Sequence, residues 1–154
     1  MSLADSPGFG LPGSAICQVT QVDLISVQRR GRILVVEDDA MSRTFATLVL
    51  ERAGLDIDVA GNGSEAIEAL LRAEYALILM DCIMPVMDGL EATKRIRASE
   101  FLGRNQGIPI IAITACAFQS DQEECIAAGM DDWVTKPVGV AALRQVVEKW
   151  LPSI

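Results

Sequence analysis

Glu37-Asp38-Asp39, Asp81, Thr114 and Lys136-Pro137 each follow directly on an apolar run: Ile33–Val36, Ala76–Met80, Ile110–Ile113 and Trp133–Thr135. If those runs are strands of one parallel sheet, the polar residues project from a single edge. In open α/β sheets ligands bind beyond the carboxyl ends of the strands, at a topological switch point. Three or four carboxylates converging there repel one another and raise their pKa values unless a cation neutralises them. A set offering only oxygen suits Mg²⁺, which takes one to three carboxylates and keeps waters. Lys136 adds a compact positive charge and Thr114 a hydroxyl donor. Both suit a group that accumulates negative oxygens, such as a transferring phosphoryl.

Composition removes several competing chemistries. The chain has no histidine, which excludes Ser-His-Asp and Cys-His catalysis, His-ligated zinc and a role as phosphohistidine donor. With 21 acidic and 13 basic residues the net charge is −8, the opposite of a nucleic-acid surface. The four cysteines at 17, 82, 116 and 125 form no CxxC pair; they read as reduced thiols, with Cys116 and Cys125 as small apolar fillers. No apolar run reaches membrane-spanning length, and the start lacks the order of a signal peptide. The expectation is a soluble, acidic, cytoplasmic domain without direct nucleic-acid or membrane contact.

The elements that must position these residues follow from periodicity. Of the 154 residues 51% are hydrophobic, enough for one core. Residues 1–31 carry no net charge and open Gly/Pro/Ser-rich, which reads as a poorly structured linker or remnant, leaving 32–154 as the domain. Met41–Ala53 has helical spacing at Phe45, Leu48, Val49 and Arg52 before Gly54, and Asp56–Ala60 alternates as a strand. Asn62 with Glu65 opens a helix through Leu71. Ala76–Met80, the most continuous apolar run, predicts the central strand. Asp88 caps a helix to about Ser99, Ser120 with Glu123 predicts a capping box for a helix ending at Gly129, and Val140–Leu151 is a last amphipathic helix. Five strands alternating with five helices predict a doubly wound parallel α/β sheet, (βα)5.

Four motifs in this order carry a family resemblance: Ile33-Leu34-Val35-Val36-Glu37-Asp38, Met80-Asp81-Cys82-Ile83-Met84-Pro85-Val86-Met87-Asp88-Gly89, Thr114-Ala115 and Thr135-Lys136-Pro137. They resemble the receiver domain of two-component response regulators across Arg32–Leu151. Ala127–Trp133 and Gly89–Ala92 are most similar to receivers of hybrid histidine kinases. The resemblance implies a flavodoxin-like sheet of strand order 2-1-3-4-5. It implies Asp81 as the phospho-accepting nucleophile, with Asp38, Asp81 and the Cys82 backbone carbonyl as Mg²⁺ ligands. Glu37 would hold metal-bound water. Thr114 resembles the switch hydroxyl, Lys136 the cation that pairs with the phosphoryl, and Trp133 stands at the place of the rotating aromatic, where Tyr, Phe or His is usual. Ile83 and Cys116 would flank the approach of water to the phosphorus.

The implied partner is a histidine kinase or histidine phosphotransfer domain, with output through protein contacts and a homodimer left open. Its own activity would be confined to catalysing its phosphorylation and dephosphorylation. Two other functions remain: a Mg²⁺-dependent phosphohydrolase, against which the missing DxD pair at Asp81 speaks, and a scaffold that is never phosphorylated. In the leading segment, Gly8-Phe9-Gly10-Leu11 weakly resembles the ATP-lid box of a histidine kinase, a flexible linker being the simpler reading.

Overall fold

The computed structural model describes residues 31–115 and 118–151. The leading segment, with its linker and ATP-lid readings, lies outside them, as do Cys17 and Cys116. Five parallel strands, β1 (Arg32–Val36), β2 (Asp56–Ala60), β3 (Leu77–Asp81), β4 (Ile110–Thr114) and β5 (Asp132–Thr135), form one sheet of order β2-β1-β3-β4-β5. The doubly wound (βα)5 architecture and its strand order are therefore as expected. Among the described residues each strand is followed by an α-helix: α1 (Ala40–Arg52), α2 (Gly63–Arg72), α3 (Gly89–Ala98), α4 (Gln119–Ala128) and α5 (Val140–Trp150).

Period-two alternation sorts the strands' side chains onto two faces. Leu34, Val36, Ile78, Met80, Ile110 and Ala112 pack with Ala66, Leu70, Ala92, Ile96 and Cys125 of α2, α3 and α4. Ile33, Val35, Leu77, Leu79, Ile111 and Ile113 pack on the other side with Ala46, Leu50, Leu143, Val146 and Val147 of α1 and α5. Every residue of β3 and β4 is buried, which is why these strands read as unbroken apolar runs. The polar terminators Asp81 and Thr114 close them.

Caps decide where the helices begin. Asp39, Asn62 and Asp88 each accept a backbone N–H three residues on, from Ser42, Glu65 and Glu91. Helix α4 departs from expectation. It starts at Gln119 after an extended Phe118 that makes no side-chain cap. Ser120 thus lies inside the helix, and the Glu123 carboxylate accepts from the Gln119 side chain at 3.2 Å. Helix α1 also turns differently from its expected stripe: Ala46 and Leu50 are buried, while Phe45 and Leu48 stay largely exposed. Ala46 and Leu50 pack into the core on the β1 side of the sheet, which leaves Phe45 and Leu48 to the side.

A short 3₁₀ turn, Gly103–Gly107, carries a device no periodicity marks. Buried Asn105 accepts from the Tyr75 N–H at 2.9 Å and donates to the Leu70 and Ala73 carbonyls at 2.7 Å each. One amide thereby ties the end of α2 to the approach of β3. Asn105→Ala strands three backbone polar groups, a loss we expect to cost roughly 3 kcal/mol. Urea denaturation at an unchanged m-value is the check; a shift of less than a few tenths would contradict this role.

Candidate functional site

The carboxyl ends of β1 and β3 and the residue after β5 bring Glu37, Asp38, Asp81 and Lys136 together. Glu37, Asp38 and Asp81 have carboxylate oxygens within 4.8 Å of one another. Lys136, just past β5, places Nζ 3.1 Å from Asp81 Oδ2 and 3.3 Å from Glu37 Oε2. Its backbone N–H donates to the Thr114 carbonyl at 2.8 Å, and the Lys136–Pro137 peptide is cis. Thr114 is buried at the end of β4.

Glu37 is the most firmly held of the acids. Its N–H donates to the Ala60 carbonyl at 3.0 Å. Its carbonyl accepts from Arg43 at 2.9 Å and its Oε1 from the Asp39 N–H at 3.1 Å. Burial pushes its carboxyl above the ordinary value of 4.5, and the adjoining Asp81 carboxylate adds to the rise. Asp38 is exposed at the rim. Asp39, by contrast, is the α1 cap, its carboxyl lowered by the Ser42 N–H. Burial works against the Lys136 charge, but its hydrogen bond to Asp81 and the field of both acids raise its pKa overall.

The loop after β3 is tightly drawn. The Ile83 N–H donates to Asp81 Oδ1 at 3.4 Å. The Met87 N–H donates to the Pro85 carbonyl at 2.8 Å around Val86, whose φ of +70° puts a β-branched residue in the left-handed region. Such a conformation is unusual for valine and costs on the order of 1–3 kcal/mol. The Cys82 carbonyl accepts from the Gly89 N–H at 3.0 Å. One of its two lone pairs is committed to the start of α3, and the second is left for the expected ligand role. Trp133 is half-buried against the α4 side of the core and lines a shallow groove with Gln122 and Ile126.

Several large apolar residues of the described chain are exposed, Met41 and Ile83 among them next to the acids. Met41 (82% exposed), Ile83 (75%), Val86 (86%) and Phe118 (73%) stand out to solvent. Ile83 is exposed next to Asp81, its N–H on the Asp81 carboxylate. A cavity of about 530 Å³, lined by Met41, Phe45, Ala46, Val138 and Leu143, opens beside Glu37 and Lys136. Sequence reasoning found the acids, the lysine and the threonine, because each closes an apolar run. It missed this rim, since exposed apolar residues in loops have no periodicity to mark them.

The carboxylate set fits Mg²⁺: oxygen donors only, clustered, and under-compensated by one lysine. An ion bound only by the folded state stabilises it by mass action, by about 2.7 kcal/mol at a hundredfold excess over Kd. We expect the melting temperature to climb with millimolar Mg²⁺ and to climb less in Asp38→Ala. The metal-free protein adds a pH signature. Because Glu37 is raised on folding, its neutral form contributes stability below the ordinary value of 4.5 that is lost as pH rises through the raised value. Glu37→Gln should remove that loss, so its melting temperature gains on the wild type as pH rises. Parallel pH profiles would contradict the assignment.

Comparison with known proteins agrees with this edge. Residues 33–148 match the family model described as the response regulator receiver domain. The chain is 38% identical to "Probable histidine kinase 1" of Oryza sativa subsp. indica, covering 80% of this chain and 16% of that protein. It is 37% identical to hybrid signal transduction histidine kinase F of Dictyostelium discoideum, covering 82% of this chain and 12% of the relative. Among solved structures, the receiver domain of a sensor histidine kinase from Pseudomonas aeruginosa PAO1 has a magnesium ion coordinated in its active-site cleft. It superposes with a TM-score of 0.71 at 38% identity, covering 79% of this chain and 98% of that one. A co-crystal structure from Saccharomyces cerevisiae pairs a histidine phosphotransfer signaling protein with the receiver domain of its downstream response regulator. It matches with a TM-score of 0.71 at 30% identity, covering 77% and 87%.

Proposed function

The chain belongs to the response regulator receiver family, and from that premise we propose that Asp81 accepts a phosphoryl group from a partner's phosphohistidine. It is a receiver domain of two-component signalling, homologous to the receivers of hybrid histidine kinases. The observation that carries the proposal is the Asp81 carboxylate at the sheet edge, held 3.1 Å from Lys136 beside two further acids.

In the proposed reaction an Asp81 oxygen attacks phosphorus, the N–P bond breaks and its electron pair returns to the departing imidazole. The chain has no histidine, so the donor belongs to another domain or chain. Lys136 holds one Asp81 oxygen in place and, once the phosphoryl arrives, is placed to pair with it. Thr114 supplies the switch hydroxyl, and Trp133 is the aromatic proposed to respond. Mg²⁺, held by Asp38 and Asp81 with Glu37 acting through water, would supply positive charge against the phosphoryl oxygens. Preorganised charge of this kind is the main source of catalysis in phosphoryl transfer.

The apolar rim supports a protein donor. Exposed Met41 and Ile83 lie beside the acids, and the cavity beside Met41 and Phe45 gives an apolar side chain somewhere to go. A histidine phosphotransfer domain with apolar residues beside its imidazole would match that pattern. Among the described residues no helix is long and apolar enough to cross a membrane; we propose a cytoplasmic setting. The test is transfer from a phosphorylated histidine phosphotransfer protein with Mg²⁺. Labelled phosphate should pass to the wild type, and Phe45→Asp should slow that transfer while leaving labelling by the small donor acetyl phosphate unchanged. Equal loss with both donors would contradict the docking role of the rim.

A further inference from the structure

Two thiols meet immediately behind the phosphoryl-accepting edge. Cys82 follows Asp81 at the end of β3, and Cys125 sits in the middle of α4. Their sulfurs lie 3.6 Å apart, and both are free. Cys125 is buried and Cys82 half-buried, so a small oxidant reaches Cys82 first. A disulfide needs about 2.05 Å between sulfurs, so the two must close from the 3.6 Å seen here.

We propose that Cys82 and Cys125 form a dithiol that a peroxide oxidises to an intramolecular disulfide, a covalent modification site joining β3 to α4. In the first step the Cys82 sulfur attacks peroxide. The O–O bond breaks, a sulfenic acid forms, and water leaves with the thiol proton. In the second, the Cys125 sulfur attacks the sulfenyl sulfur, the S–O bond breaks, and a second water leaves. Each sulfur gives up one electron and the peroxide takes two. A dithiol reductant reverses the bond by exchange.

The consequence for signalling rests on the receiver reading given above. Helix α4 follows Thr114, and Cys82 neighbours Asp81. Tying them together restrains the helix that follows the switch hydroxyl in the chain. Oxidised protein should therefore take up phosphoryl from acetyl phosphate at least about threefold more slowly, with recovery on adding dithiothreitol.

The test treats the full chain with hydrogen peroxide, quenches with alkylating agent under denaturing conditions, and maps peptides by mass spectrometry. The expected product is lighter by two hydrogens, with Cys82 and Cys125 linked and protected from alkylation. A Cys17→Ser/Cys116→Ser variant should form the same Cys82–Cys125 link, and Cys125→Ala should yield no internal link. Alkylation at both positions after treatment, separate sulfinic acids, or a bond to Cys17 or Cys116 would overturn the site. Acetyl phosphate labelling of the reduced protein reports on the receiver reading by itself. A disulfide that forms without slowing phosphorylation would retain the site and overturn its regulatory effect.

Discussion

Asp81→Asn should fold like the wild type and incorporate no phosphoryl group from acetyl phosphate. The carboxamide keeps the shape of the side chain that ends β3, where every neighbour is buried, so packing is preserved. Its oxygen is not an anionic nucleophile and cannot form an acyl phosphate. Lys136 loses the charged partner now 3.1 Å away but keeps Glu37 at 3.3 Å, so its charge is not left unpaired. Lys136→Ala should in contrast still be labelled, with phosphorylation no longer altering Trp133 fluorescence. Label on Asp81→Asn at the wild-type level would place the acceptor elsewhere.

Gly89→Ala should be the most destabilising single-methyl change near the site. A Cβ there would fall on the Asp81 carbonyl oxygen, with Met80 Cγ at 2.9 Å and the Asp81 carbonyl carbon at 3.0 Å. Neither β3 nor the start of α3 can yield easily: the strand is buried along its length, and the Gly89 N–H is bound to the Cys82 carbonyl. Overpacking of a rigid site costs typically 1–3 kcal/mol, and contact with backbone puts this case at about 3 kcal/mol or above. Gly107→Ala is the matched control, since nothing lies within 4 Å of its added methyl. Denaturant midpoints of the two variants give the comparison. Equal stability would show that the loop after β3 is looser than this packing implies.

What the sequence revealed and what it hid have different physical origins. Buried parallel strands are apolar at every position, so β1, β3 and β4 stand out, and the residue that ends each run is on the site edge by construction. Asp81, Thr114, Glu37 and Lys136 were legible for that reason. Caps at Asn62 and Asp88 were equally plain, because a short polar acceptor followed by Glu three residues on has few other uses. The Ser120–Glu123 spacing looks the same yet fails, since Phe118 starts α4 early and Gln119 engages Glu123. Asn105, the Cys82–Cys125 contact and the left-handed Val86 depend on residues far apart in sequence or on loop geometry. No local pattern encodes them.

The central claim is that Asp81 carries the phosphoryl group, and the chemistry of the bond tests it directly. The protein is incubated with acetyl phosphate and Mg²⁺, reduced with borohydride, and its peptides are mapped by mass spectrometry. An acyl phosphate on Asp81 is reduced at its carbonyl carbon, releasing phosphate and converting the residue to homoserine. The account predicts homoserine at position 81, in wild type and not in Asp81→Asn. Phosphate that survives reduction on a serine or threonine, with Asp81 unmodified, would contradict it.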